Sequence, residues 1–119
     1  MNVPVLTEAN RYLTEQLADR INEMVFGFDG SVATSEDGGA GRPAITVVPT
    51  VRVLDEHTLS VEGRLSNMVV FNIPLREVAI QYRNPSDTTD VTPLFRYTFR
   101  PFTKSGSNEL KFSVIVEVN

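Results

Sequence analysis

The sequence predicts an α+β fold in which one N-terminal helix packs on a mainly antiparallel β-sheet or sandwich of six or seven strands. Apolar residues recur at every third or fourth position only near the N-terminus. Several short runs that alternate apolar and polar residues then follow, separated by polar turns. No helical pattern of about 15 residues lies between these runs, which argues against parallel βαβ units.

The length of 119 residues predicts a single domain that spans residues 1–119. A chain of this size buries roughly two-thirds of its unfolded surface, so it can fold without a disulfide or a metal. The sequence contains no cysteine. Disulfides and thiolate metal sites are therefore excluded, and a reducing compartment is compatible with this composition.

Charge is distributed unevenly along the chain. Residues 1–57 hold nine acidic residues and four arginines, whereas the remainder is nearly balanced. An acidic front half argues against a general nucleic-acid binder. No apolar run approaches the roughly 20 residues of a membrane span, and the segment Met1–Leu6 lacks the basic start of a signal peptide. We therefore expect that neither nucleic acid nor a membrane is a partner. We also expect that the protein is made in a cytoplasm.

The first elements are an extended lead and the helix. Residues 1–6 form the lead, which Pro4 interrupts. Residues 7–23 are predicted to be helical, with Thr7 as the N-cap and Glu8 in the first turn, where the helix dipole favours an acid. The predicted apolar stripe consists of Leu13, Leu17, Ile21 and Met24 or Val25.

Residues 24–118 are predicted to form a β-rich body. Its first strand, 24–28, ends at a turn, and residues 29–43 are rich in glycine and small polar side chains, which predicts a mobile surface loop. The next run, 44–54, is interrupted by Pro49. Because proline cannot donate to a strand ladder, this strand lies at an edge or bends there.

The apolar stretch 68–82 is the one around which the other strands are expected to pair. Nearly every position is apolar, which is typical of a strand in the middle of a sheet and covered on both faces. Pro74 divides the stretch, and the half before it is predicted to be a short buried strand or corner. Alternating strands are predicted at 59–66, 95–99 and 110–118. Pro101 is expected to end the strand at 95–99. A hairpin-like connection that contains Lys104 is expected before the strand at 110–118.

Residues that could carry chemistry have simpler explanations. His57 is the one histidine, and it lies in a predicted turn with no partner indicated by a motif. Residues 39–44 match a loose dinucleotide fingerprint, but a proline and a β-branched run follow where a helix should begin. The loop oxygens of Asp29, Ser31, Glu36 and Asp37 could surround calcium, although a solvated acidic loop is favoured. We assign no catalytic, cofactor-binding or metal residue, expect no cofactor, and expect that the protein is not an enzyme.

Charged residues in the predicted strands suggest structural roles. Glu77 lies inside the apolar stretch and needs hydrogen-bond partners, so we expect it to hold amides of a neighbouring loop or an arginine such as Arg64. Arg96, Arg100 and Lys111 lie on the polar faces of the last two long runs. They could meet an anion or an acidic partner, but the simpler interpretation is that they keep a strand face soluble and its edges unpaired. In an oligomer, these arginines could pair with the acidic helix face of another copy, which carries Glu15 and Asp19.

Two short segments and the order of elements resemble a known family. Phe26-Gly27-Phe28-Asp29-Gly30 follows the helix, and Arg76-Glu77-Val78-Ala79-Ile80 lies in the predicted core strand. The chain is similar to the N-terminal module of bacteriophage tail-fibre and tail-collar proteins. This resemblance implies structural roles for Gly27, Asp29, Gly30 and Glu77, the last in a core strand.

The resemblance also implies a function. It implies a virion structural protein of a phage tail, a collar, fibre-adaptor or baseplate subunit, with no reaction and no cofactor. Such a subunit is assembled in the host cytoplasm and has copies of itself and other tail proteins as partners. One alternative is a carbohydrate- or ligand-binding β-sandwich, which requires an exposed platform made by Tyr82, Tyr97 or Phe102. Capsid decoration is another, and an enzyme would need His57 or Glu77 in a cleft beside a second titratable group.

Overall fold

The computed structural model describes residues 6–118 and shows one helix followed by seven strands. The α+β fold class, with the helix at the N-terminus, is confirmed. The elements are α1 (Thr7–Arg20), β1 (Glu23–Gly27), β2 (Pro43–Val47), β3 (Thr50–Asp55), β4 (Thr58–Leu65), β5 (Leu75–Arg83), β6 (Val91–Phe102) and β7 (Leu110–Glu117).

The strands form two antiparallel sheets that pack face to face. The first sheet has the order β2-β1-β5-β6, and the second has the order β3-β4-β7. The apolar stretch supplies β5, which is an inner strand as predicted. The buried side chains between the sheets come mainly from β1 and β5 on one side and from β4 and β7 on the other: Met24, Phe26, Val78, Ile80, Leu59, Val61, Leu65, Val114 and Val116.

Prolines mark where the chain changes sheet or runs along an edge. Pro49 lies between β2 and β3, at the point where the chain leaves the first sheet for the second, and both flanking strands are edge strands. The expectation of an edge or a bend at Pro49 is therefore confirmed. The expectation that Pro101 ends its strand is wrong, because β6 continues through both Pro93 and Pro101. An edge strand tolerates proline on its unpaired side, and two register shifts accompany this one.

The helix is shorter than predicted. It ends at Arg20, and Ile21 is already extended, because the chain enters β1 at Glu23. Leu6 occupies the N-cap position in place of Thr7, and no side chain caps the helix. The lead at residues 1–5 lies outside the described residues.

The helix closes one end of the sandwich beside the β3–β4 turn. Thr14 is fully buried there, and its hydroxyl donates to the Glu56 carbonyl at 3.0 Å. Leu17 and Ala18 pack against the core, whereas Leu13 from the predicted stripe is exposed. The described part of the chain has no helix of the length and apolar character that crossing a membrane requires.

The half of the apolar stretch before Pro74 is not a buried strand. Residues 66–74 form a loop between β4 and β5, here called the apolar loop. Val69 and Phe71 pack against the core, but Met68 is 89% exposed. Apolar content alone led to this wrong prediction, since it does not distinguish a core strand from an exposed loop.

The two faces of β5 are covered by different partners. One face, with Val78 and Ile80, packs against the second sheet. The opposite face carries the buried residues Glu77 and Gln81, and the loop at residues 28–42, here called the covering loop, lies against it. This arrangement accounts for a strand that is apolar at nearly every position.

Candidate functional site

Glu77 holds the covering loop onto the first sheet. Its side chain is fully buried on β5. Oε2 accepts hydrogen bonds from the backbone N–H of Asp29 at 2.7 Å and of Arg42 at 2.9 Å, and Oε1 accepts one from Gly41 at 2.7 Å. A single carboxylate therefore binds both ends of the loop, which are far apart in sequence. The expected tie to loop amides is present.

Arg96 completes this site from the neighbouring strand β6. Its Nε donates to Glu77 Oε1 at 3.0 Å, and Nη1 donates to Asp37 Oδ2 at 3.0 Å. Nη2 donates to the carbonyl of Asp29 at 3.1 Å. We call these four side chains, Glu77, Arg96, Asp29 and Asp37, the ionic clasp. Its arginine is not the expected Arg64, which instead pairs with acids on the outer surface.

The clasp also corrects two expectations about the loop and the strand face. Arg96 is only 5% exposed at its side chain, so its guanidinium does not lie on an open polar face. The guanidinium lies between Asp29 and Asp37, so these two acids pair with an arginine and are not simply solvated, as the sequence favoured. Glu36 is exposed and is not part of the clasp.

Hydrogen bonding keeps the clasp ionised. Burial by itself would raise the pKa of Glu77, but the N–H groups of Arg42, Asp29 and Gly41 and the Arg96 guanidinium outweigh it and lower that pKa. Burial opposes the charge of Arg96 as well, yet the carboxylates of Glu77 and Asp37 raise its pKa. The N–H and hydroxyl of Ser31 lower the pKa of Asp29. The clasp is thus suited to holding a loop in place.

Two glycines allow the loop to approach Glu77 so closely. A Cβ on Gly27 would lie 2.6 Å from both the Arg42 carbonyl oxygen and Glu77 Oε2. A Cβ on Gly41 would collide with the carboxylate of Asp29. Gly30 lies at the margin, where a Cβ would meet the Arg76 side chain at 3.3 Å.

The loose nucleotide fingerprint has a different role in this structure. The N–H groups of Gly41 and Arg42 from that segment bind the protein's own carboxylate, Glu77. This role of Gly41 was not predicted from the sequence. The available signal was the Gly-Arg-Pro sequence that closes the loop directly before β2.

Lys104 forms a second buried site, which sequence analysis placed in a polar connection. The side chain is fully buried, and Nζ donates to three backbone carbonyls, those of Val69 at 2.8 Å, Ser105 at 2.6 Å and Asn108 at 2.7 Å. The ammonium group therefore joins the apolar loop to the β6–β7 loop, at the end of the sandwich opposite the helix. No pattern in the sequence separates this lysine from a surface lysine.

His57 lies in the open β3–β4 turn, as expected. Its Nδ1 is 3.5 Å from Asp55 Oδ1. Asp55, Glu56 and His57 can bring one ligand atom each within 4.8 Å of the others, and no second group of this kind occurs between residues 6 and 118. Acidic groups at an exposed turn are common without a metal ion, so this cluster gives no site by itself.

The other candidate residues lie at the surface or in half-buried positions. Arg100 is exposed on β6, and Glu15 and Asp19 are exposed on α1. The aromatic residues proposed for a carbohydrate platform are all half-buried, namely Tyr82, Tyr97 and Phe102. The Arg20 guanidinium lies 5.4 Å from the centre of the Tyr82 ring, and burial raises the pKa of Tyr97. None of the three residues belongs to the exposed class.

An open cleft of about 470 Å³ adjoins the ionic clasp. Arg42 and Arg76 line it together with Phe28 and Ile73. The Arg42 guanidinium lies 5.9 Å from the centre of the Phe28 ring. The cleft therefore offers two cationic groups, the carboxylate of Asp29 and a small apolar wall.

Large apolar side chains are exposed on the apolar loop beside this cleft. Met68 is 89% exposed, Val70 is 58% exposed and Ile73 is 42% exposed. Lys104 holds the backbone of this loop at Val69, between the first two.

No protein-family model matches this sequence, and a search among curated proteins returns no relative of significant similarity.

Proposed function

We propose that the protein is a structural subunit of a bacteriophage tail, in a collar, fibre adaptor or baseplate, and that it acts by assembling with copies of itself and with other tail proteins. In this role the protein is made in the host cytoplasm, becomes part of the virion and catalyses no reaction. The resemblance of segments 26–30 and 76–80 to the tail-fibre and tail-collar module supports the proposal.

The observation that carries the proposal is the exposure of Met68, Val70 and Ile73 on one short loop. Exposed apolar side chains close together on one loop are typical of a surface that another macromolecule covers. The backbone of this loop is fixed by the buried ammonium of Lys104. A loop held in this way loses little conformational entropy when a partner binds, which favours a permanent contact.

The distribution of charge also supports a role in assembly. The clasp uses Arg96 inside the molecule, whereas Arg100 remains exposed on one side and Glu15 and Asp19 on another. Contacts between copies can therefore pair the helix acids with Arg100. The same pairing through Arg96 is not available, because Glu77 and Asp37 already bind it.

The experiment is co-purification of the chain with the proteins encoded by the genes that flank its own. The variant Met68→Ser/Val70→Ser removes the exposed apolar side chains with no change in charge. Tyr12→Ser is the matched control, because Tyr12 is also exposed but lies on the helix at the opposite end of the sandwich. We expect the wild type and the control to retain a tail protein, and the double variant to lose it.

Two results would overturn the proposal. One is that no neighbouring tail protein binds the wild-type chain, and the other is that the double variant binds as well as the control. Thermal unfolding of each variant shows whether a loss of binding reflects a loss of fold.

A ligand-binding module is the second candidate, and the cleft lined by Arg42 and Arg76 is the observation that favours it. Paired guanidinium groups suit carboxylate-bearing sugars. Binding of such a sugar that is lost in Arg42→Gln would favour this candidate. Capsid decoration is separated from both by fractionation of particles, since the protein would then co-purify with heads and not with tails.

A further inference from the structure

The edge strand β7 differs from the other three edge strands of the sandwich. Pro43 begins β2, Pro49 precedes β3, and β6 contains Pro93 and Pro101. Both β3 and β6 also contain register shifts. Prolines and bulges prevent edge strands from pairing with other chains.

By contrast, β7 has neither prolines nor bulges, and its two charged residues, Lys111 and Glu117, have opposite signs that a second copy can pair. Its eight residues contain no proline, and they pair with β4 in unbroken register from Leu110 to Glu117. No described strand pairs with its outer side. A long, regular and unpaired edge is a ready template for another strand.

The free hydrogen-bonding groups on this edge follow from one observed bond. The N–H of Val118 donates to the His57 carbonyl on the β4 side at 2.6 Å. Since N–H and C=O groups alternate in direction along an antiparallel strand, those of Lys111, Ser113, Ile115 and Glu117 point away from β4. The same four residues have exposed side chains, and Ile115 is 61% exposed.

We propose that β7 pairs antiparallel with β7 of a second copy about a two-fold axis at Val114. This register places Lys111 opposite Glu117 of the partner subunit and Ser113 opposite Ile115 of the partner subunit. Each pair is formed twice. Buried positions then face buried positions across the axis, and the two three-stranded sheets join into one continuous sheet of six strands. The inference rests on the proposed assembly function and specifies one of its contacts.

Charge selects this register from its neighbours. Registers that differ from the proposed one by two residues also keep buried side chains opposite buried side chains. A shift in one direction places Ser113 opposite itself and Glu117 opposite Glu109, which brings like charges together. A shift in the other direction places Ile115 opposite itself and leaves Lys111 with no acid of the partner subunit opposite it. Only the proposed register pairs Lys111 with Glu117, whose side chains are 56% and 62% exposed.

The absence of cysteine makes the register directly measurable, because a single substitution gives a single thiol. Directly opposite residues in a hydrogen-bonded antiparallel pair have Cα atoms about 5.5 Å apart, within the range of a disulfide. Diagonal neighbours are about 7–8 Å apart, which is too far. Ser113→Cys and Ile115→Cys are purified separately and oxidised alone or as a mixture.

We expect the mixture to give several-fold more disulfide-linked dimer than either variant alone. A mixture of Ser113→Cys with Ser86→Cys measures the background, because Ser86 lies on an exposed loop outside β7. Efficient linking of Ser113→Cys alone, or of Ile115→Cys alone, identifies a shifted register and overturns the proposal. Linking at background in every sample overturns it as well.

Charge reversal provides an independent measurement. Lys111→Glu and Glu117→Lys each place like charges opposite one another twice, which should raise the dimer dissociation constant by about tenfold. The double variant restores opposite charges and should recover the wild-type constant. Failure of recovery, with thermal stability retained, contradicts the register. Self-association that persists without any β7 cross-link would refute this contact alone, whereas the proposed tail function is tested separately by co-purification.

Discussion

Replacing Glu77 with glutamine tests the ionic clasp at its centre. The two side chains have nearly the same shape, but glutamine has one acceptor oxygen in place of two. In the native site each oxygen of Glu77 accepts two hydrogen bonds. The variant can therefore satisfy two of the four donors, and its own NH₂ group faces the other two. Arg96 also loses the buried carboxylate that it contacts at 3.0 Å.

The expected cost is large for a domain of this size. Removing one partner of a buried ion pair costs about 3–5 kcal/mol, because the other charge is left uncompensated. The total free energy of unfolding of such a domain is about 5–15 kcal/mol. At roughly 4 °C per kcal/mol, the melting temperature should fall by about 12–20 °C.

Thermal and urea unfolding followed by circular dichroism measure this change. Glu62→Gln is the matched control, since Glu62 bridges Arg64 and Lys111 at the surface. Exposed ion pairs contribute little, so the control should unfold like the wild type. A Glu77→Gln variant that is as stable as the control would refute the clasp as the element that fixes the covering loop.

Three further predictions follow from the buried groups. The pKa of Glu77 in the folded protein lies below its ordinary value of 4.5, so its contribution to the free energy of unfolding is complete above pH 4.5 and is lost as pH falls through the folded pKa. Urea unfolding from neutral to acid pH should therefore show a smaller loss of stability in Glu77→Gln than in the wild type. An equal dependence of stability on pH in the two proteins would contradict this. Gly27→Ala should lower the free energy of unfolding in urea by about 1–3 kcal/mol, because its Cβ clashes with Glu77 and Arg42. Gly38→Ala, whose Cβ meets no atom within 4 Å, should not lower it. Equal effects of the two substitutions would show that the close contact at Gly27 does not matter for stability. Lys104→Met should lower the free energy of unfolding by about 1–3 kcal/mol, because the carbonyls that bind Lys104 lose their partner. It should also speed hydrogen exchange in the apolar loop, whereas the control Lys111→Met should not. Unchanged exchange in Lys104→Met would show that Lys104 does not hold this loop.

Local patterns were sufficient to predict the fold class and several elements. Residues that alternate or recur at a helical period show which side chains face a core, and this requires no long-range information. The central position of β5 followed from its continuous apolar run, and Pro49 correctly marked an edge or bend. Glu77 was expected to need partners because apolar residues flank it.

Long-range partners could not be predicted in the same way. Arg64 and Arg96 both lie at polar positions of strands, and only the pairing of β6 with β5, in which Arg96 opposes Ala79, brings Arg96 to Glu77. Lys104 lies among polar turn residues, so its burial depends entirely on the loop that folds over it. Residues 68–73 were predicted to be buried because apolar side chains in an exposed loop and in a core have the same composition.

Sedimentation velocity of this chain, alone and mixed with the proteins encoded by the genes that flank its own, tests the central claim that the protein functions by assembly. We expect a reversible shift from monomer to dimer as concentration rises, and larger species when a tail protein is added. A monomer at every concentration that also fails to co-sediment with any tail protein would contradict it.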